Sequence, residues 1–467
     1  MRDLAASVDI GSTFTKAALF SLAPDSPALR AAAQTPTTQE DLGEGVRRVL
    51  AGLLGLDPDA ALEDVSSRAD LFLCSSAKGG LSIAAVGIVP YLTVTAARLT
   101  AASAGGRIAM VSSYRLTEEK MRELERLAPD ILLLCGGTDG GNEGILLSNA
   151  RAVAASALRS TVLFAGNASV RDEARRILAS KDFAAAGNVM PEVGVLSVEP
   201  ARAEVRRIFL ERIVEGRGLE AVCRHAAAPV KPTPLAVFEA VGVLADGDPA
   251  WARTAVLDMG GATTDVYSSS EAFAGSDGWV LRGLPEPRRK RTVEGDLGLR
   301  IGASAALETG RAYIEARLAA LGIGMEAMRR WVGESGVRPE VLARDAEEEA
   351  LERVLAEACL YHALLRHAGT VEEVWTPSGK VRVQKGKDLR AVDRLVGSGG
   401  YLARQADPAC LRTALEAARR DSGGLSLLPE SPRILQDRGY LLPLLGNLAE
   451  TYPAEVARLA ARMGEEP

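Results

Sequence analysis

The chain has 467 residues, 47% of them hydrophobic but only 4% aromatic, enough for two or three cores built mainly from Ala, Leu and Val. A formal charge of −6 excludes a nucleic-acid binder held by a basic face. The one dense basic run, Arg288-Arg289-Lys290-Arg291, reads as a solvated turn or a contact with an acidic partner or phosphate. Five scattered Cys with no CxxC pair, and three His (His225, His362, His367), exclude a local zinc or haem signature and predict reduced, mostly buried thiols. No basic start with a long apolar run precedes the first strand, and no stretch has the length of a membrane span, so the expectation is a cytoplasmic protein.

The chain opens with Val8-Asp9-Ile10-Gly11-Ser12-Thr13-Phe14-Thr15-Lys16, a strand ending in Asp, a glycine turn with hydroxyls, and a returning strand that carries Lys16. Such a turn lets a backbone approach a phosphate closely. Lys16 reads either as a phosphate contact or as the surface end of the hairpin. Leu42, Val46, Val49, Leu50, Leu53 and Leu54 then recur at helical spacing.

From about residue 70 the pattern becomes strand, loop, helix. Strands are expected at 71–74, 107–111, 131–135 and 161–164, with a loop over 75–80 and helices at 94–103, 117–127, about 145–157 and from Val170. Repeats of this kind predict a parallel, doubly wound sheet, because parallel strands need crossovers. Ligands of such sheets sit at the strands' carboxyl ends, where the loop Gly136 to Asn142 falls. That loop is either a second site or a glycine turn with Asp139 and Asn142 capping the next helix. Its spacing is not that of a dinucleotide fingerprint. A turn-rich connection over 185–201 leads to a helix opened by Glu199 and Pro200.

The grammar of the first hairpin returns in Val256-Leu-Asp-Met-Gly-Gly-Ala-Thr-Thr-Asp-Val-Tyr267: an apolar run ending in Asp258, a turn through Gly260 and Gly261, and a β-rich segment with Thr263 and Thr264. Two such hairpins predict two halves facing one nucleotide. In Thr292-Val-Glu-Gly-Asp-Leu-Gly298, Asp296 either caps a helix over 297–310 or joins Glu294 in facing the nucleotide's metal. Residues 311–368 read as helical, and 371–383 as strands around a turn. A third glycine turn, Gly397-Ser-Gly399-Gly400, follows a strand and can lie against a flat ring or a phosphate.

The order of these elements resembles the actin, Hsp70 and sugar-kinase superfamily, in which they are phosphate 1, phosphate 2 and adenosine. The resemblance implies an α/β fold of two actin/Hsp70-like lobes with ribonuclease H-like halves, here carrying an inserted Rossmann-like domain. The expected boundaries are 1–65 for the first lobe segment, 66–190 for the insertion, 191–250 for the return and 251–467 for the second lobe. The ligands it implies are ATP and Mg²⁺: Asp9 and Asp258 would hold the metal through waters, and one of them would orient the attacking water or hydroxyl. Gly11, Ser12, Thr13, Lys16, Gly260, Gly261, Thr263 and Thr264 would surround the phosphates, and Gly397, Gly399 and Gly400 the nucleoside.

Within that superfamily the blocks 74–90, Leu132 to Asn142, Asn188-Val-Met-Pro-Glu-Val-Gly194, Thr292 to Gly298 and Arg433-Ile-Leu-Gln-Asp-Arg-Gly-Tyr440 look like the glutamate mutase accessory family MutL/GlmL. This implies an ATPase that reactivates an adenosylcobalamin-dependent carbon-skeleton mutase by releasing damaged cofactor, with the mutase as protein partner. One departure is Ala262, where Hsp70-type chains usually carry a third Gly. The cobalamin signature DxHxxG is absent, since Cys223, Leu360 and Leu365 stand two residues before the three His. The chain is therefore expected to handle the mutase without ligating cobalamin through His. Competing readings are a small-molecule kinase, an actin-like scaffold that would sediment with ATP, and an iron–sulfur activator of 2-hydroxyacyl-CoA dehydratases, which would be brown.

Overall fold

The computed structural model describes residues 2–463 apart from 24–25, 39, 77–80, 90–92, 104–105, 215–217, 272–277 and 378. The loop expected over 75–80 lies largely outside the described residues. The chain divides into two compact units. One comprises Met1–Ser7, Ala18–Ala32 and Ala236–Pro467, the other Val8–Ala17 and Ala33–Leu235.

Strands β1 (Leu4–Ile10), β2 (Phe14–Ser21) and β3 (Ala28–Pro36) follow one another through short turns, and β4 (Asp70–Ser75) comes after two helices. The helix Leu42–Leu54 starts where Asp41 accepts the Glu44 N–H and ends at Gly55, whose φ of 68° is open to glycine at no steric cost. Next come β5 (Ser82–Gly87), β6 (Arg107–Ser113), β7 (Ile131–Leu134), β8 (Thr161–Phe164) and β9 (Phe183–Ala185), ordered β6-β5-β7-β8-β9 and all parallel. This is the doubly wound sheet that the alternation of strand and helix predicts. Its core is mainly aliphatic, with Val86, Leu132, Leu134 and Val162 buried alongside Phe164.

One expectation about this block needs correction. The strand at 71–74, read as its first member, does not belong to it. β4 lies in the first sheet, between β1 and the short β10 (Lys231–Pro232), with which it pairs in parallel. A run buried on both faces looks alike in any parallel sheet, so Leu71-Phe-Leu-Cys74 cannot name its partner strand. The opening strand of the parallel block is instead β5, whose Ala-rich run carries no strand signal.

The remaining strands are β11 (Thr254–Met259), β12 (Thr264–Ser269), β13 (Trp279–Leu281), β14 (Arg289–Glu294), β15 (Thr370–Thr376), β16 (Gly379–Lys385), β17 (Arg394–Ser398) and β18 (Arg433–Gln436). One sheet runs β14-β12-β11-β17-β18, and a smaller one β13-β16-β15. Numbered by chain order within each sheet, the sheet of β1 and the sheet of β11 both read 3-2-1-4-5. The protein is thus an α/β chain built on a duplicated ribonuclease H-like sheet, with a parallel α/β sheet inserted in the first copy between β4 and β10.

A second correction concerns 297–310. No helix starts at Leu297; the helix begins at Ala303 after Gly302. Residues 297–302 are used to close on the neighbouring hairpin. The helix opened by Glu199 is described over Glu199–Val214, and a short helix, Leu219–Cys223, follows Gly218 in the left-handed region.

Candidate functional site

In the first hairpin, Asp9 is the penultimate residue of β1 and 1% exposed. Its Oδ1 accepts the Thr233 hydroxyl at 2.6 Å and the Cys74 thiol at 3.3 Å. The turn closes by Gly11 N–H donating to the Phe14 carbonyl at 3.0 Å, and a Cβ on Gly11 would stand 2.6 Å from that oxygen. Thr37 pins the turn from behind: its hydroxyl donates to Gly11 O at 2.9 Å and its N–H to Thr13 O at 2.9 Å. Ser12, Thr13 and Lys16 are half-buried, whereas Thr15 points inward and meets Thr37 at 3.0 Å.

In the second hairpin, Asp258 is the penultimate residue of β11 and half-buried. The carbonyls of its turn face back into the protein. Leu299 N–H donates to Gly260 O at 3.2 Å, and Arg300 and Gly302 N–H donate to Gly261 O at 2.8 and 3.0 Å. This is what residues 297–302 do in place of a helix: Gly298 and Gly302 have no room for a Cβ against the Ala262 backbone. With its carbonyls engaged, the turn is left with the Gly261 and Ala262 N–H groups, which have no acceptor among the described residues. An array of such donors is an anion-binding concavity. Thr264 is fully buried and its hydroxyl donates to Leu297 O at 2.7 Å, so Thr263 is the hydroxyl nearer the surface. Below them Asp265 is held by Arg291 through Nε at 2.9 Å, a buried pair beside Tyr267.

The third glycine turn adjoins this hairpin. Asp258 and Ser398 are register partners on the parallel strands β11 and β17. Gly399, at φ 95°, lies so close to the Met259 backbone that no side chain fits. Gly400 next to it faces open space, and Gly397 packs on Leu402 and Leu411. Ser398 donates its hydroxyl to Asp437 at 2.8 Å, and Asp437, fully buried, accepts Leu441 and Leu442 N–H at 2.7 and 3.1 Å. Asp437 therefore caps the helix Leu441–Leu448 and fixes the end of β17 together.

Glu294 and Asp296 sit elsewhere in the network. Arg366 donates to Glu294 at 2.9 Å and to both oxygens of Asp296 at 2.6 and 2.9 Å, and Thr309 adds a further bond to Asp296 at 2.8 Å. The Arg366 guanidinium holds the Asp296 carboxyl down at about 2. Asp296 thus caps no helix at 297.

In the parallel sheet the glycine loop is braced from within. Asp139 accepts Ala168 N–H and Asn188 Nδ2 at 2.8 Å each, and Asn167 accepts Gly140 and Ser169 N–H at 3.1 and 3.0 Å. Asn142 accepts Ile145 N–H at 3.3 Å at the start of the next helix. These side chains tie the loops after β7, β8 and β9 to one another. Cys135, Cys359 and Cys410 are buried thiols whose ionisation is pushed up by burial. Among the described residues no cluster of three His, Cys, Asp or Glu could hold a metal ion, and no helix is long and apolar enough to cross a membrane.

The structure therefore brings Asp258, Gly260, Gly261, Gly397 and Gly399 together at the carboxyl ends of β11 and β17. It gathers Asp9, Gly11 and Thr13 at the other hairpin. Sequence reasoning missed Thr233, Cys74, Ser398 and Asp437. Thr233 lies in a Pro-flanked segment with no motif of its own, and Asp437 stands inside the block 433–440 without any cue that it caps a helix.

Among solved structures, the chain is similar to a diol dehydratase-reactivating factor in nucleotide-free form, at 12% identity over 97% of this chain and all of that one, TM-score 0.33. It is also similar to component A of (R)-2-hydroxyglutaryl-CoA dehydratase from Acidaminococcus fermentans, at 9% identity over 97% of this chain and 98% of that one, TM-score 0.30. The protein MutL of Clostridium tetanomorphum is 35% identical over 459 residues, 97% of each chain. A family model described as MutL protein matches residues 5–463, and the chain belongs to the MutL family.

Proposed function

We propose that the protein is a Mg²⁺-dependent ATPase that reactivates an adenosylcobalamin-dependent mutase by driving release of damaged cofactor. The observation that carries this reading is the duplication. Asp9 and Asp258 hold the same place, penultimate in the first strand of two sheets with one strand order, and each precedes a glycine hairpin.

The residues present fit such a ligand. Asp9 and Asp258 would each offer hard oxygen donors of the kind that magnesium takes directly or through water. The outward N–H groups of Gly261 and Ala262 suit phosphate oxygens, and Gly400, which faces open space, leaves the backbone bare for a nucleoside. Bound Mg²⁺ would neutralise charge on the β- and γ-phosphates. Thr233 and Cys74 hold Asp9 in one orientation, so its carboxylate need not reorganise when a water-bridged ion or the attacking water arrives. Membership of the MutL family supports the mutase as client, and the cytoplasm as the place where both work.

The test is ATP hydrolysis by the purified protein with Mg²⁺, comparing wild type, Asp9→Ala and Asp258→Ala, with and without a glutamate mutase inactivated by hydroxocobalamin. Turnover that falls at least about a hundredfold in both variants and accompanies mutase recovery is the expected result. Absent hydrolysis with unchanged nucleotide affinity in both variants overturns the nucleotide site, and hydrolysis without mutase recovery overturns the client.

A further inference from the structure

The two N–H donors left by the second hairpin are directed from behind. In a trans peptide the N–H points away from the C=O of the same plane. Whatever holds the Gly260 carbonyl therefore sets the direction of the Gly261 N–H, and whatever holds the Gly261 carbonyl sets that of Ala262. Leu299 N–H holds the first at 3.2 Å, and Arg300 and Gly302 N–H hold the second at 2.8 and 3.0 Å. Residues 297–302 thus form a strap across the back of the turn. Arg300 packs directly on it, since a Cβ on Gly261 would stand 3.2 Å from the Arg300 Cβ.

One side chain anchors the strap. The Arg300 guanidinium donates through Nη1 to the Leu299 carbonyl at 3.0 Å and through Nη2 to Glu352, on the helix Ala346–His367. Its Cζ lies 5.9 Å from the centroid of the Trp331 ring. Both members of the pair are buried, at 9% and 8% side-chain exposure. A buried ion pair gains little stability over apolar residues of the same volume, because desolvation of both charges offsets their attraction. What it adds is direction: a planar fork that meets a carboxylate and a backbone carbonyl at once holds the strap in one orientation. The start of this segment is held by Arg366 of the same helix, through Glu294 and Asp296. One helix therefore grips residues 294–300 at both ends.

We infer that Arg300 and Glu352 are positioning residues for the phosphate-binding turn, which keep the Gly261 and Ala262 N–H groups aimed at one point. The inference rests on the nucleotide reading above and adds to it a link from the helix Ala346–His367 to the phosphates. Both residues act through the Leu299 and Arg300 N–H groups and the two peptide planes that these fix. The donors then meet an anion already oriented.

The test uses the full chain and the double variant Arg300→Met/Glu352→Leu, which replaces the pair by apolar side chains of similar volume and so keeps the fold. Glu352→Gln retains an acceptor for the guanidinium. Arg317→Gln is the control, since it breaks the pair with Glu357 on the same helix without touching the strap. Calorimetry with Mg²⁺ measures binding of ATP and of adenosine, and hydrogen exchange of the nucleotide-free protein reads the amides of Leu299, Arg300 and Gly302. In the double variant these amides should exchange about tenfold faster and ATP should bind about tenfold more weakly. Adenosine, which has no phosphate, should stay within about twofold of wild type. Arg300→Lys, which keeps the charge without the fork, should move in the same direction as the double variant. Glu352→Gln should retain most of the ATP affinity, and Arg317→Gln all of it. A double variant and an Arg300→Lys variant that both exchange and bind as wild type does overturn the inference. So does equal weakening of ATP and adenosine, or an equal effect of Arg317→Gln. If wild type binds no ATP, the nucleotide reading falls by itself and exchange alone decides the link: faster exchange only where the pair is altered supports it, and unchanged exchange overturns it.

Discussion

Thr233 donates its hydroxyl to Asp9 at 2.6 Å although 224 positions separate them in sequence. The bond is buried, and with the Cys74 thiol it fixes the orientation of the Asp9 carboxylate. Thr233→Val should lower kcat for ATP about tenfold while KM changes less than about twofold, since orientation is lost and not the carboxylate. Thr233→Ser should restore turnover. An unchanged kcat in the valine variant would show that Asp9 is held by other means.

The Gly399 position gives a sharper contrast. Its φ of 95° and its contact with the Met259 backbone leave a methyl group nowhere to go, while Gly400 faces open space. Gly399→Ala should cost about 2–4 kcal/mol of stability and weaken ATP binding. Gly400→Ala should stay within about 1 kcal/mol of wild type. Urea unfolding and titration with a fluorescent ATP analogue measure both. Equal effects at the two positions would contradict the close packing of β17 on β11.

How much of this was readable in the sequence depends on the range of the forces involved. Gly11, Gly260 and Gly399 were legible because a turn and a close approach are local demands on the backbone. The parallel block was legible from its crossovers. What escaped was pairing between distant segments. Leu71-Phe-Leu-Cys74 does not say which sheet takes it, and Thr233 does not say that Asp9 is its acceptor. Asp296 is an acidic cap signal just before residues 297–302, yet Gly298 and Gly302 are drawn into contact with Ala262, and that contact outweighs local helix propensity.

Asp296 should govern acid stability at low pH. Its carboxyl falls from 3.8 to about 2 on folding, first through its bond to Arg366. A depressed carboxyl stabilises the fold fully above the unfolded value and loses that contribution as pH falls from about 4 towards 2. With 38% of the side chain exposed, solvent screening reduces the effect to about 1 kcal/mol. Asp296→Asn should flatten the pH dependence of urea midpoints in this window alone. A slope unchanged from wild type would mean that the Arg366 pairing adds nothing to stability.

His367 should produce a separate loss at milder acidity. It is fully buried, its two ring nitrogens are 2.8 Å from the Thr292 and Ser268 hydroxyls, and burial pushes its pKa well below 6.5. Lys290 and Lys387, both packed near it, add to the same direction, and burial lowers Lys387 itself to about 8. The unfolded chain takes up a proton below pH 6.5 that the folded chain refuses, so stability should fall by up to about 1.4 kcal/mol per pH unit from there downward. The loss ends once the depressed folded value is reached. His367→Gln, which can still bond both hydroxyls, should remove this slope while keeping most of the stability at pH 8. If wild type and variant run parallel between pH 6.5 and 5, the imidazole is protonated in the folded protein, and the neutral bridge between β12 and β14 is wrong.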